Sequence, residues 1–127
     1  MTGKFTFSKK ERLFYHKHID RLFSGGSSFM LHPLKVYFLK PDIEDPTSRV
    51  LITIPRRRFK RAVDRNRLRR LFREAYRLNK HRLQGIPVQL HIGFVYIGNT
   101  VKIPYSEAES KMKACLDRLV KEAGSGG

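Results

Sequence analysis

The sequence holds a single cysteine, Cys115. One thiol cannot close an internal disulfide, and no second thiol exists to begin a zinc cluster. Packing is the expected role of Cys115. Acidic residues are scarce, 11 Asp and Glu against 27 Lys and Arg. Three of them, Asp42, Glu44 and Asp45, fall in a turn with no visible partner set for metal-assisted hydrolysis. The histidines (His16, His18, His32, His81, His91) include no i,i+4 pair beside a glutamate and no other metal-ligand spacing. No catalytic residue and no metal ligand is therefore assigned. Long apolar runs are lacking too: none reaches the roughly 18 to 20 residues needed to span a bilayer, and Met1 to Lys10 has no apolar stretch of the secretory kind. The expected location is cytoplasmic, with no membrane partner.

What is present is charge of one sign. The 127 residues fit one compact domain, and a hydrophobic content of 40% suffices for one ordinary core. Residues 1–123 are read as that single domain and the Gly124-Ser125-Gly126-Gly127 segment (124–127) as a flexible tail. The formal charge of +16 surrounds so small a body with a field that attracts polyanions, and nucleic acid is the default partner.

Along the chain, two helix starts compete near the N-terminus. Ser8 with Glu11 reads as a capping box, whereas His16 to Phe23 carries the clearer apolar spacing, with Leu13, Ile19, Leu22 and Phe23 able to share one face. Gly25-Gly26 ends this helix through the left-handed cap conformation open to glycine. Strands are expected near Ser28 to Leu31, at Lys35 to Lys40 and at Arg49 to Ile54, with a turn at Pro41 to Ser48. Pro55 and a basic run to Arg61 lead into a helix from about Ala62 to Asn79. Val88 to Ile97 is a strand. Ser106 with Glu109 forms a further capping box before a last helix that carries Ala108, Met112, Cys115, Leu116, Leu119 and Val120 at helical spacing. The order α-β-β-β-α-β-α gives an α+β sandwich of helices on a mainly antiparallel four-stranded sheet, in which the long helix could join two parallel strands.

Between Pro55 and Arg77 stand eleven basic residues, Arg56, Arg57, Arg58, Lys60, Arg61, Arg65, Arg67, Arg69, Arg70, Arg73 and Arg77, against Asp64 and Glu74 alone. At roughly 100° per residue, Leu68, Leu71, Phe72, Ala75 and Leu78 share one arc, and Arg65, Asn66, Arg69, Arg70, Arg73 and Arg77 the opposite one. A charged helix face is ordinarily just solvated. Such faces mix signs for i,i+4 support, however, whereas this one gathers like charges that repel unless an anion lies between them. Arginine grips phosphate oxygens through two bonds or stacks on a base, and Asn66 can both donate to phosphate and accept from a 2′-hydroxyl. A structured RNA fits this surface.

The run Ala62-Val63-Asp64-Arg65-Asn66-Arg67-Leu68-Arg69-Arg70-Leu71-Phe72-Arg73-Glu74-Ala75-Tyr76 resembles the arginine-asparagine-arginine helix of the bacterial ribonuclease P protein subunit. Lys10, Arg12 and Leu13, the helix end at Phe23 to Gly26, and the strand running into Arg56 to Arg58 extend the resemblance over nearly the whole chain. It implies a ribosomal protein S5 domain 2-like fold with a left-handed βαβ crossover. It further implies a subunit that assists a catalytic RNA in removing the 5′ leader from precursor tRNA. The RNA would supply the active site and the magnesium ions, and no obligate protein partner is implied. The expected RNA contacts are Arg65, Asn66, Arg67, Arg69, Arg70 and Arg73 on the helix, with Arg56, Arg57, Arg58, Lys60 and Arg61 before it. By position, Ile19, Phe23 and Phe38 would line a leader-binding cleft between the first helix and the sheet, with Tyr37 the alternative to Phe38. Two departures stand out: the family more often has an aromatic where Ile19 is, and the loop Pro55 to Arg61 is one residue longer than common forms. A ribosomal or RNA-chaperone binding module is the alternative, and a stand-alone nuclease the third reading.

Overall fold

The computed structural model describes residues 11–13, 15–41, 47–85 and 89–125. In chain order they form helix α1 (His16–Gly25), strands β1 (Ser27–Leu31), β2 (Leu34–Leu39) and β3 (Arg49–Thr53), helix α2 (Ala62–Asn79), a 3-10 turn (Lys80–Gly85), strand β4 (His91–Tyr96) and helix α3 (Tyr105–Ser125). The α-β-β-β-α-β-α order is the one expected, with β3 and β4 shorter than the runs read as strands and β1 and β2 within one residue of theirs at each end. The four strands make one sheet in the order β1-β2-β4-β3. β1 pairs antiparallel with β2, β2 antiparallel with β4, and β3 parallel with β4. Parallel neighbours need a crossover connection, and α2 is that crossover.

Alternation along the strands divides the sheet into two faces. Val36, Val50, Ile52, Ile92, Phe94 and Tyr96 are buried in the main core with Leu68, Phe72, Tyr76, Met112 and Leu116 of α2 and α3. Phe72 packs on Tyr96 at 5.4 Å and Tyr76 on Phe94 at 6.1 Å between ring centroids. The opposite face meets α1. Gly93 sits beneath that helix, where an added Cβ would stand 3.1 Å from Leu22 Cδ2 and 3.3 Å from Phe23 Cζ. Glycine here lets helix and sheet close together.

Three local readings are corrected. Of the two starts considered for α1, the helix begins at His16, while Ser8 lies outside the described residues; Glu11 instead binds Lys80. At the end of α1, Gly26 is extended (φ −82°, ψ 164°), and no described glycine has positive φ. Its smallness is needed for space rather than for handedness: a Cβ would fall 2.5 Å from the Leu22 carbonyl oxygen and 2.8 Å from that of Phe38. In α3, Tyr105 opens the helix and Ser106 lies inside it, so the Ser106–Glu109 capping box does not form. The Pro104 carbonyl accepts from the N–H groups of Glu107 and Ala108, both at 3.1 Å. Glu109 works elsewhere, accepting from Nδ2 of the buried Asn79 at 3.1 Å. This α2–α3 contact accounts for the burial of Asn79, whereas Tyr76 is buried against Phe94 of β4; Leu71 and Leu78 are half-buried. The helix α3 takes in Gly124 and Ser125, assigned above to the tail. No helix among the described residues is long and apolar enough to cross a membrane.

Gly26→Ala should destabilise the protein by about 1 to 3 kcal/mol, the usual cost of overpacking. Gly25→Ala, whose Cβ would meet nothing within 4 Å, should be neutral or slightly stabilising because alanine favours the helical state. Paired urea denaturations check the contrast, and equal effects would refute it. A second prediction concerns alkali. Burial pushes the Cys115 thiol from 9.0 up to about 12, and burial followed by the Glu11 charge also raises the Tyr76 hydroxyl. An acid kept neutral in the fold contributes stability below its unfolded pKa and loses it as pH rises toward the folded one. The urea midpoint should therefore fall as pH climbs from about 9 to about 12, and Cys115→Ala should make that fall shallower.

Candidate nucleic-acid interface

The underside of α2 is fixed by Leu68 and Phe72, both fully buried, so the arginines between them must emerge on the other side. Asp64 in the first turn and Arg77 in the last suit the helix dipole. An open groove of about 320 Å³ runs along the outer face, lined by Asn66, Arg69, Arg70, Arg73, Glu74 and Arg77 of α2 and by Arg12 from the N-terminal segment. Arg69 Nη1 donates to Asn66 Oδ1 at 2.9 Å, which holds the amide beside the guanidinium. Arg77 binds Glu74 in a two-pronged pair, Nε to Oε1 at 3.1 Å and Nη2 to Oε2. That hydrogen bonding holds the Glu74 carboxyl below its usual range, so the one acid of the groove stays ionised and tied to its neighbour. Arg73 is lowered from the ordinary arginine value by partial burial, then by Arg12 and Arg69 beside it. Guanidinium groups that crowd in this way are relieved by an anion, and phosphate is the matching one.

A second cationic group forms before the helix. Arg56, Arg57 and Arg58 are exposed and, with Pro55, line an open hollow of about 470 Å³. Arg58 Nη1 donates to Asn99 Oδ1 at 2.9 Å, which anchors this loop to the β4–α3 connection. Lys60, Arg61 and Arg67 are exposed and line neither hollow. Arg65 is placed differently from its neighbours. Its Nη1 donates to the carbonyls of Phe59 and Lys60, each at 2.8 Å, so it clamps the basic loop to the first turn of α2. Phe59, 6% exposed, anchors the same loop against Tyr96 at 5.7 Å between ring centroids.

The cleft residues separate. Ile19 and Phe23, half-buried and one helical turn apart on α1, share a face. Phe23 meets Tyr37 edge-on, centroids 4.7 Å apart, and Lys35 Nζ stands 5.2 Å from the centre of the Tyr37 ring. Phe38 is on the other side of the sheet, packed on the core and 6.2 Å from Phe29. One residue of register moves a side chain to the opposite face, and it is Tyr37 that the strand turns toward α1. Farther along α1, His18 lies 5.3 Å from the buried His91, ring to ring.

Arg12, which lines the groove, and Asn99, which holds Arg58, are two residues that the sequence did not assign to the candidate site. Arg12 stood among the residues of the resemblance; the fold pairs it with Val50 at the outer edge of β3 and sets it beside Arg73 in the groove on α2.

A family model described as ribonuclease P matches residues 7–120. The chain belongs to the ribonuclease P protein family. A ribonuclease P protein component from Porphyromonas gingivalis is 45% identical, over 98% of this chain and 93% of the relative. One from Chlorobium phaeobacteroides is 35% identical, over 78% of this chain and 77% of its own length. Among solved structures, the RNase P protein from Thermotoga maritima superposes with a TM-score of 0.69 at 26% identity, covering 85% of this chain and 96% of that one.

The geometry separates two kinds of arginine on one helix. Arg70→Ala, at an exposed position, should leave the melting temperature unchanged or slightly raised, because it relieves like-charge repulsion. Arg65→Ala should lower it, since two loop carbonyls lose a charged donor, a contact of about 1.5 to 3 kcal/mol. Thermal unfolding by circular dichroism reads both, and stability losses of the same size would contradict the distinction.

Proposed function

We infer that this chain is the RNA-binding subunit of ribonuclease P and assists the catalytic RNA in endonucleolytic removal of the 5′ leader from precursor tRNA in the cytoplasm. The observation that carries this reading is the groove in which Arg12, Asn66, Arg69, Arg70 and Arg73 converge. Asn66, Arg69, Arg70 and Arg73 are an array of phosphate ligands on a rigid helix, with Arg12 beside them. Each phosphate contact releases condensed counterions, so affinity rests on charge and falls steeply with salt. The exposed loop Arg56 to Arg58 continues the cationic surface toward the sheet.

The second contact is the leader itself. Phe23 and Tyr37 offer aromatic surface between α1 and β2, and Lys35 sets a cation beside it. Single-stranded bases stack on such platforms with little regard to sequence. Ile19 contributes apolar contact where an aromatic is more usual in the family, which leaves the stacking to Phe23 and Tyr37. Binding here acts before the chemical step and lowers the apparent Michaelis constant rather than raising the turnover. In this reading the reacting centre and its magnesium ions belong to the RNA, and no side chain of the chain takes part in making or breaking bonds.

Reconstitution tests the reading. Precursor tRNA incubated with protein alone should remain intact, and the protein should accelerate a single 5′ cleavage only when ribonuclease P RNA is present. Cleavage by the protein alone would mean a nuclease, and failure to stimulate the RNA would mean a binding module without a processing role. Tyr37→Ala should raise the Michaelis constant more for long-leader substrates than for substrates with very short leaders, with stacking worth roughly 1 to 3 kcal/mol per base. Equal effects on both substrates would remove Tyr37 from the leader site.

A further inference from the structure

The groove on α2 has one wall that does not come from α2. Residues 11–13 run beside β3, at the edge of the sheet. Arg12 pairs with Val50 as an isolated parallel bridge, and the Leu13 N–H donates to the Val50 carbonyl at 2.9 Å. Leu13 is 2% exposed, so it plugs into the fold and leaves the preceding residue facing outward. The exposed Arg12 then joins Asn66, Arg69, Arg70 and Arg73 around one groove.

Left to itself, a guanidinium on a short segment moves away from other guanidiniums. This segment is tied down next to them. Lys80 Nζ donates to both carboxylate oxygens of Glu11, at 2.9 and 2.8 Å, and both side chains are only 15% exposed. A pair so little exposed is screened by salt much less than one on the open surface. Lys80 directly follows α2, as its C-terminal cap. The pair therefore fastens the segment to the very helix whose cationic face Arg12 completes.

We propose that Arg12 is a phosphate-binding residue of the RNA interface, and that the Glu11–Lys80 ion pair is the device that positions it across the groove from α2. Guanidinium groups from two separate segments then close on one stretch of sugar-phosphate backbone from both sides. Glu11 is an acid in a protein built to bind a polyanion, yet here it favours binding, because it places a cation that would otherwise stand away.

This assignment rests on the chain acting as the ribonuclease P subunit, and the test keeps the two claims apart. Ribonuclease P RNA is titrated with the wild type, Arg12→Ala, Glu11→Gln and the double variant across a salt series, at a temperature where circular dichroism shows each to be folded. Arg12→Ala should weaken binding roughly tenfold, as for loss of one charged hydrogen-bonding contact, and make the salt slope shallower by about one. Glu11→Gln raises the net positive charge by one, so charge alone would tighten binding; positioning weakens it instead. In the Arg12→Ala background Glu11→Gln should cost almost nothing more. Unchanged affinity in Arg12→Ala, tighter or equal binding in Glu11→Gln, or an undiminished Glu11→Gln loss in the double variant would overturn the proposal. A wild type that fails to bind the RNA would instead overturn the functional reading on which it rests.

Discussion

Burial of the underside of α2 is the constraint on which the interface depends. Leu68, Phe72 and Ala75 are fully buried and Tyr76 nearly so, and each large apolar side chain taken from water contributes about 1.5 to 3 kcal/mol. Like-charge neighbours at helical spacing cost only a few tenths of a kcal/mol each. The apolar term therefore exceeds the repulsion, and the helix can keep its arginines crowded on the outer face without an anion present. Because α2 joins two parallel, adjacent strands, it is also held at both ends: its start follows β3 through the clamped loop, and its end runs through the 3-10 turn to β4. The charge is presented from a fixed mount.

The element order and the cationic arc were legible in the sequence because both follow from short-range rules. Period-two and period-3.6 patterns mark the strands and helices, and the bounds of α2 come out as Ala62–Asn79 in both readings. What sequence could not supply was set by contacts between distant segments. Tyr76 is buried because it packs on Phe94 of β4, and Asn79 because Glu109 of α3 leaves its expected capping role to bind it. Gly26 reads as a left-handed cap, yet what demands glycine there is the space between two carbonyl oxygens, that of Leu22 in its own helix and that of Phe38 on β2.

The site was legible in composition and less so in roles. Eleven cations in one segment point to a polyanion as ligand without saying which of them would face it. In the fold, Arg65 turns back to two backbone carbonyls, Arg69 braces Asn66, and Arg12 arrives from outside the segment. The cleft turned on one residue of strand register, for which Tyr37 and Phe38 are chemically similar candidates. The edge contact with Phe23 and the pairing with Gly93 beneath α1 assign Tyr37 to the α1 side.

The central claim is that the position of positive charge, rather than its amount, determines RNA binding. Two double substitutions with the same change in net charge test it directly. Arg70→Gln with Arg73→Gln alters the α2 groove, and Lys113→Gln with Lys121→Gln alters α3. Affinity for ribonuclease P RNA, measured at several salt concentrations, should fall sharply with a shallower salt slope for the α2 pair and change little for the α3 pair. Equal losses from the two pairs would contradict the account.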